Sequence, residues 1–253
     1  MLPPAEFINR ILCDDAREIL QKLPSRSIDL IVTDPPYGDN TSYGPRRVRI
    51  AGNEHPLLAL AILHDAYRLL KNDTTAYMFC GMQHLPFIRS FFDRYTRYRI
   101  RDVLIWDKVT MGVGSPFRKQ YECILVLEKG RPRYRNKTIL NLLSYSRVRE
   151  SRHPHAKPLP LIKALIAHSS DHGGVVLDSF LGSGTTALAG QQLGRRCIGI
   201  EVNPAYCHIA VNRLKQKTLP FGRARAASPA RFESLTGHQN AVAAPLHQQD
   251  TLW

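Results

Sequence analysis

The sequence predicts an α/β domain: a seven-stranded, mostly parallel sheet with helices on both faces. Three observations carry this. Short apolar runs alternate with helix-like segments along most of the chain, as when strands are joined by covering helices. Most of these runs hold Ile, Val and Leu at consecutive positions, as strands buried on both faces do. Apolar residues make up 43% of 253 residues, enough for a sizeable core and too many for a disordered or fibrous chain.

In chain order, a weak strand signal at Phe7–Leu12 precedes a helix at Ala16–Lys22 and a strand at Ile28–Thr33. Helical spacing covers Pro56–Leu70 and His84–Tyr95, with a strand at Ala76–Cys80 between them. Strands follow at Val103–Trp106 and Cys123–Leu127. Next come a helix at Leu159–His168, a strand at Val175–Asp178, a helix at Thr185–Leu193 and a strand at Cys197–Glu201. The last helix, Pro204–Lys215, has Asn203 as its N-cap and Pro204 at the first position, where the missing N–H is harmless. Residues 1–217 thus read as one domain. From 218 to 253 small and polar residues dominate, which predicts a flexible tail. Two inner stretches lack periodicity: 38–55, with Arg46, Arg47 and Arg49, and 129–155, with Arg131, Arg133, Arg135, Lys137, Arg147, Arg149 and Arg152. Long loops inside a compact domain are usually functional.

The formal net charge of +14 predicts attraction to a polyanion, either nucleic acid or an anionic membrane. No run approaches the roughly 18–20 apolar residues of a spanning helix. Met1–Arg10 holds Glu6 and no long apolar run, unlike a signal peptide. Cys13, Cys80, Cys123, Cys197 and Cys207 are odd in number and form no C-x-x-C pair. They suggest neither a disulfide framework nor a metal site, and read as reduced thiols of a cytoplasmic protein.

Two strand ends carry chemistry. Strand Ile28–Thr33 runs into Asp34-Pro35-Pro36-Tyr37. The prolines stiffen the backbone and offer carbonyls without competing N–H groups. An acid at a strand's carboxyl end lies where open α/β sheets bind ligands. With an aromatic beside it, the set suits a planar group bearing an amine. A bare Asp-Pro-Pro would serve equally as a stiff turn, so the context decides. The second strand end is Asp178-Ser179-Phe180-Leu181-Gly182-Ser183-Gly184-Thr185-Thr186, a glycine turn opening a helix. Glu201, at the next strand end, can take ribose hydroxyls. This reads as a nucleoside-cofactor site, and it is not a P-loop, since no Gly-Lys-Ser/Thr follows. A dinucleotide fingerprint or tight strand–helix packing could use the same turn. Chain order separates these. A dinucleotide fold opens with its glycine turn, whereas here most strands precede it. A cofactor half placed after a substrate half implies circular permutation.

In these residues the chain resembles an amino-group DNA methyltransferase of the β group, which acts on adenine N6 or cytosine N4 with S-adenosylmethionine. The likeness covers most of Ile11 to Leu214. Asp15 with the following Ala-Arg-Glu-Ile-Leu-Gln-Lys-Leu resembles the family's lead-in. Trp106-Asp107-Lys108, Arg118 and Tyr121-Glu122 resemble its middle motifs, and His153-Pro154-His155-Ala156-Lys157-Pro158 its cofactor-side motif. The resemblance implies a circularly permuted Rossmann-like methyltransferase fold. It also implies that Asp178, Phe180, Gly182 and Gly184 frame the cofactor's methionine part, with Ser183 and Thr185 in the same turn. Glu201 would take the ribose, with Asn203 beside it, and Asp15 the adenine amine. Lys157 and Pro158 would lie along that pocket. Asp34, Pro35, Pro36 and Tyr37 would hold a flipped target base. Asp14 stands where many relatives have Gly, and the space from Glu128 to His153 is shorter than their recognition region often is.

The implied partner is double-stranded DNA, with a homodimer as a possible assembly and no membrane. Arg46, Arg47, Arg49, Arg118, Arg133 and Arg135 are the expected phosphate contacts. Tyr43 is a candidate wedge for the vacated stack, and Trp106 a core residue. Adenine is favoured over cytosine N4, because relatives acting on cytosine usually have Ser at the Asp34 position. A cytosine-C5 enzyme needs an activated thiol, which relatives carry after proline; no cysteine here follows one. A nucleotide-dependent oxidoreductase and a non-catalytic nucleic-acid-binding protein are the readings from other classes.

Overall fold

Among the described residues of the computed structural model, 2–36, 56–112, 116–135, 139–148 and 156–216, eight strands form one sheet. The elements in chain order are β1 (Arg10–Leu12), α1 (Ala16–Lys22), β2 (Ile28–Thr33), α2 (Pro56–Ala66), β3 (Leu70–Cys80), α3 (Leu85–Tyr95), β4 (Arg99–Asp107), β5 (Tyr121–Lys129), β6 (Leu142–Ser144), α4 (Leu159–Ser169), β7 (Val175–Asp178), α5 (Thr185–Gln192), β8 (Arg196–Ile200) and α6 (Pro204–Gln216). The expected tail at 218–253 and the loop at 38–55 lie outside the described residues.

The strands lie side by side in the order β1-β8-β7-β2-β3-β5-β4-β6. All neighbours are parallel except β5, which runs antiparallel to both β3 and β4. The permutation is visible in the left half. There β7 and β8, from the end of the chain, are completed by β1 from its beginning, with Leu12 opposite Ile200. From β7 the chain crosses outward to β8, and from β2 it crosses the other way to β3, so the strand order reverses between β7 and β2.

Alternation along the strands divides the core into two layers. Ile28 and Ile31 of β2 face Leu20, Leu63 and Phe92 from α1, α2 and α3. Leu30 and Val32 face the opposite side, with Leu161, Leu188, Ala210 and Leu214 from α4, α5 and α6. Helices before β4 thus cover one face and helices after β6 the other. No helix among the described residues is long and apolar enough to cross a membrane.

Several element bounds differ from expectation, among them the starts of β1, β3 and β4, and one strand is new. The helix starting at Pro56 stops at Ala66 although apolar residues continue to Leu70. Arg26, Ser27 and Ile28 donate backbone N–H groups to the carbonyls of Arg68 and Leu69 at 2.8–2.9 Å, and this pairing pulls Leu70 into β3. The eighth strand, β6, lies within the stretch that lacked apolar periodicity. It is held by its pairing with Ile105–Asp107, and only Leu143 of its three residues is buried, too little to register as a pattern.

Candidate active site

Since β1, β8, β7 and β2 are parallel neighbours, their carboxyl ends open on one edge of the sheet. Each end is followed by or finishes in an acid: Asp15 after β1, Glu201 after β8, Asp178 closing β7, and Asp34 after β2. Three strand spacings of about 4.8 Å separate the first strand from the last, so the row spans about 14 Å.

The centre of the row is buried. Thr33 Oγ1 donates to Asp178 Oδ1 at 2.9 Å, tying the end of β2 to the end of β7. Phe180 N–H donates to the same oxygen at 3.1 Å. Burial pushes the Asp178 carboxyl up to about 6, against hydrogen bonds from Thr186, Phe180 and Thr33, and the nearby Asp34 charge adds to the rise. Burial raises Glu201 as well, against the N–H groups of Asn203, Gly182 and Val202. Gly182 N–H and Asn203 N–H reach its two oxygens at 2.8 Å each. Gly182 and Gly184 have φ of 55° and 84°, the left-handed region. A Cβ on Gly184 would meet Ala210 Cβ at 2.8 Å, so α6 packs directly on this turn.

These residues fit an adenosyl cofactor. Ser179 Oγ is buried at the strand end with no hydrogen-bond partner among the described residues. Ser179 follows Asp178 directly and stands three residues before Gly182, whose N–H donates to Glu201.

Other expected cofactor residues have local work. Asp15 caps α1: it accepts Arg17 N–H at 2.8 Å and pairs with the Arg17 guanidinium at 2.5 Å, which lowers its pKa against partial burial. Asn203 caps α6, with its Oδ1 accepting Ala205 N–H at 2.9 Å. Ser183 and Thr185 accept from Arg213 of α6 at 3.2 and 3.0 Å. Pro158 occupies the N-cap position of α4.

The Lys157 ammonium pairs with Asp34 Oδ2 and lies 3.2 Å from Glu122 Oε2. It sits over the Phe79 ring at 5.0 Å and the Trp106 ring at 5.9 Å. Glu122 in turn accepts from Lys108 Nζ at 2.5 Å. Sequence reasoning gave Glu122 no role. The available signal was a charged residue at the mouth of an apolar strand. Trp106 is buried as expected, its indole N–H donating to the Tyr145 carbonyl at 2.7 Å.

The basic residues divide by position. Arg118 and Lys119 are exposed between β4 and β5, at the same edge as Asp34, and Arg147 donates to the Lys119 carbonyl at 3.4 Å. Arg133 and Arg135, expected to contact DNA, are on the edge opposite Asp34. They follow β5, whose antiparallel run carries the chain to the amino ends of β2 and β7, about 20 Å away along a six-residue strand. There Arg135 pairs with Asp171, just before β7. Tyr37, Tyr43, Arg46, Arg47, Arg49 and His153–His155 lie outside the described residues.

Comparison with known proteins agrees with this geometry. The family model described as DNA methylase, covering N6 and N4 enzymes, matches residues 28–212. The Type II methyltransferase M.HpaI of Haemophilus parainfluenzae is 29% identical over 81% of this chain and 74% of its own length. The DNA adenine methyltransferase YhdJ of Escherichia coli K12 is 28% identical over 83% of this chain and 85% of its own. Among solved structures, the M1.HpyAVI–SAM complex aligns with a TM-score of 0.65 and 25% identity, over 81% of this chain and 98% of that one. The permuted sheet, the acidic strand ends and the family match together place the chain in the DNA methylase family, the S-adenosylmethionine-dependent amino-group DNA methyltransferases.

Proposed function

We propose that the chain methylates the exocyclic N6 amine of an adenine turned out of double-stranded DNA. The observation that carries this reading is the adjacency of Asp178 and Asp34, at the ends of neighbouring strands and joined through Thr33, where the strand order reverses. Cofactor half and amine half meet at that point.

When bound, S-adenosylmethionine supplies an electrophilic methyl group on a sulfonium centre. Glu201 holds the ribose side, and the Gly182–Gly184 turn admits the methionine side. On the other side of the junction, the target amine is a poor nucleophile because its lone pair is delocalised into the ring. Asp34 and the Pro35 carbonyl accept its two N–H groups and draw that lone pair back onto nitrogen. The nitrogen lone pair would then face the cofactor side of the junction, and the proton that the amine gives up on methylation would pass to water. Holding both reactants in near-attack geometry is the main contribution of the protein. Extruding the base costs a few kcal/mol, offset by stacking on Tyr37.

Two points favour adenine. The acid at Asp34 stands where cytosine-N4 relatives usually have Ser, and a protein named DNA adenine methyltransferase is 28% identical along most of this chain. Arg118, Lys119 and Arg147 supply phosphate contacts on the active edge, together with Arg46, Arg47 and Arg49. Expression in a methylation-free host, followed by mapping of modified bases, tests the reading. N6-methyladenine at one short target sequence is expected; N4-methylcytosine in its place overturns the choice of base.

A further inference from the structure

Beside the proposed amine site, four charges alternate in sign: Asp34, Lys157, Glu122 and Lys108. Lys157 leads into α4 and Glu122 belongs to β5, so the chain of contacts ties three distant parts of the sequence together. The Lys157 side chain is only 11% exposed. Burial opposes its charge, and Asp34 and Glu122 more than restore it. Burial also opposes ionisation of Glu122, yet Lys157 and Lys108 hold it down at about 2. Buried ion pairs are poor stabilisers compared with apolar residues of equal volume, so such an array is better explained by what it positions.

We propose that Lys157 and Glu122 are positioning residues for the amine-binding carboxylate, and that Lys157 serves this half of the site rather than the cofactor pocket. This rests on the reading of Asp34 as the amine acceptor. An ammonium has three donors and a carboxylate about four acceptor sites. Lys157 can therefore hold Asp34 by Oδ2 while the carboxylate still accepts from the target. Glu122, held by Lys108, keeps Lys157 centred over Phe79 and Trp106 rather than collapsed onto both oxygens of Asp34.

The test uses the full chain with Lys157→Met, Glu122→Gln, the double variant and Asp34→Ala. Calorimetry gives the S-adenosylmethionine Kd, steady-state transfer gives kcat and the DNA KM, and thermal melting checks the fold. Each of the first two variants is expected to lower kcat at least tenfold, with the cofactor Kd within threefold of the parent. The double variant should lose no more than the worse single, because both act through one geometry. Glu122→Asp, which keeps the charge, should recover part of the loss. A tenfold weaker cofactor Kd with kcat restored at saturation makes Lys157 a cofactor residue and overturns the proposal. A lowered Tm with unchanged kcat overturns it too. If Lys157→Met fails to fold, Glu122→Gln, which conserves volume, carries the same readouts. Transfer retained by Asp34→Ala defeats the underlying reading. Transfer lost there but retained in Lys157→Met and Glu122→Gln defeats this proposal alone.

Discussion

Gly184 links the cofactor turn to the packing of α6, and replacing it with Ala separates backbone strain from steric conflict. Its φ of 84° is left-handed, which costs an L residue roughly 1–2 kcal/mol. The new Cβ would also lie 2.8 Å from Ala210 Cβ and 3.1 Å from Ala210 Cα. Overpacking of this kind costs about 1–3 kcal/mol, for a total of roughly 2–5 kcal/mol. In a domain of this size each kcal/mol moves Tm by about 2–4 °C, so Gly184→Ala should melt roughly 4–20 °C lower. Gly173 is the matched control. Its φ is 75°, but a Cβ there meets nothing within 4 Å, so Gly173→Ala bears the backbone cost alone. Scanning calorimetry of both variants isolates the packing contribution. Equal Tm losses would refute the claim that α6 closes on the glycine turn.

Two further outcomes follow from the geometry. Asp178 binds its proton more tightly folded than unfolded, so its contribution to stability falls as pH rises from 3.8 to about 6 and stays lost above. The full penalty is roughly 3 kcal/mol. Asp178→Asn keeps an acceptor for Thr33 and Phe180 without the charge, and should melt above the parent at pH 8 with a gain that vanishes toward pH 4; a gap independent of pH would refute the desolvation argument. For DNA, replacing Arg118, Lys119 or Arg147 by Ala should reduce the slope of log affinity against log salt by about 0.9 per lost phosphate contact. Arg133→Ala and Arg135→Ala should leave that slope unchanged in anisotropy titrations, and a shallower slope would mean that DNA reaches the far edge.

Much of the catalytic edge was legible because it is local in sequence. Asp34 and the glycine turn each follow directly on a strand of Ile, Val and Leu, and β2 and β7 run Ile28–Thr33 and Val175–Asp178 as expected. Asn203 and Pro204 announced the start of α6 in the same way, through a cap within two residues. What failed was direction and distance. No helical periodicity runs between Val103–Trp106 and Cys123–Leu127, so the segment reads as a hairpin joining β4 to β5. That inference would have put Arg133 and Arg135 on the far edge. The pairing of Lys157 with Asp34 was not legible, because the two residues are 123 positions apart. No periodicity encodes a contact of that separation. β6 escaped notice since a three-residue edge strand with one buried side chain borrows its order from β4.

The central claim, that Asp34 presents an adenine amine to the cofactor's methyl group, is tested most directly by one single-turnover measurement. Labelled S-adenosylmethionine at saturation is mixed with unmethylated DNA and either the parent or Asp34→Ala, and the methylated nucleoside is then identified. The parent should yield N6-methyladenine, and Asp34→Ala none above background while binding the cofactor within threefold of the parent. Transfer by Asp34→Ala at the parental rate would contradict the mechanism.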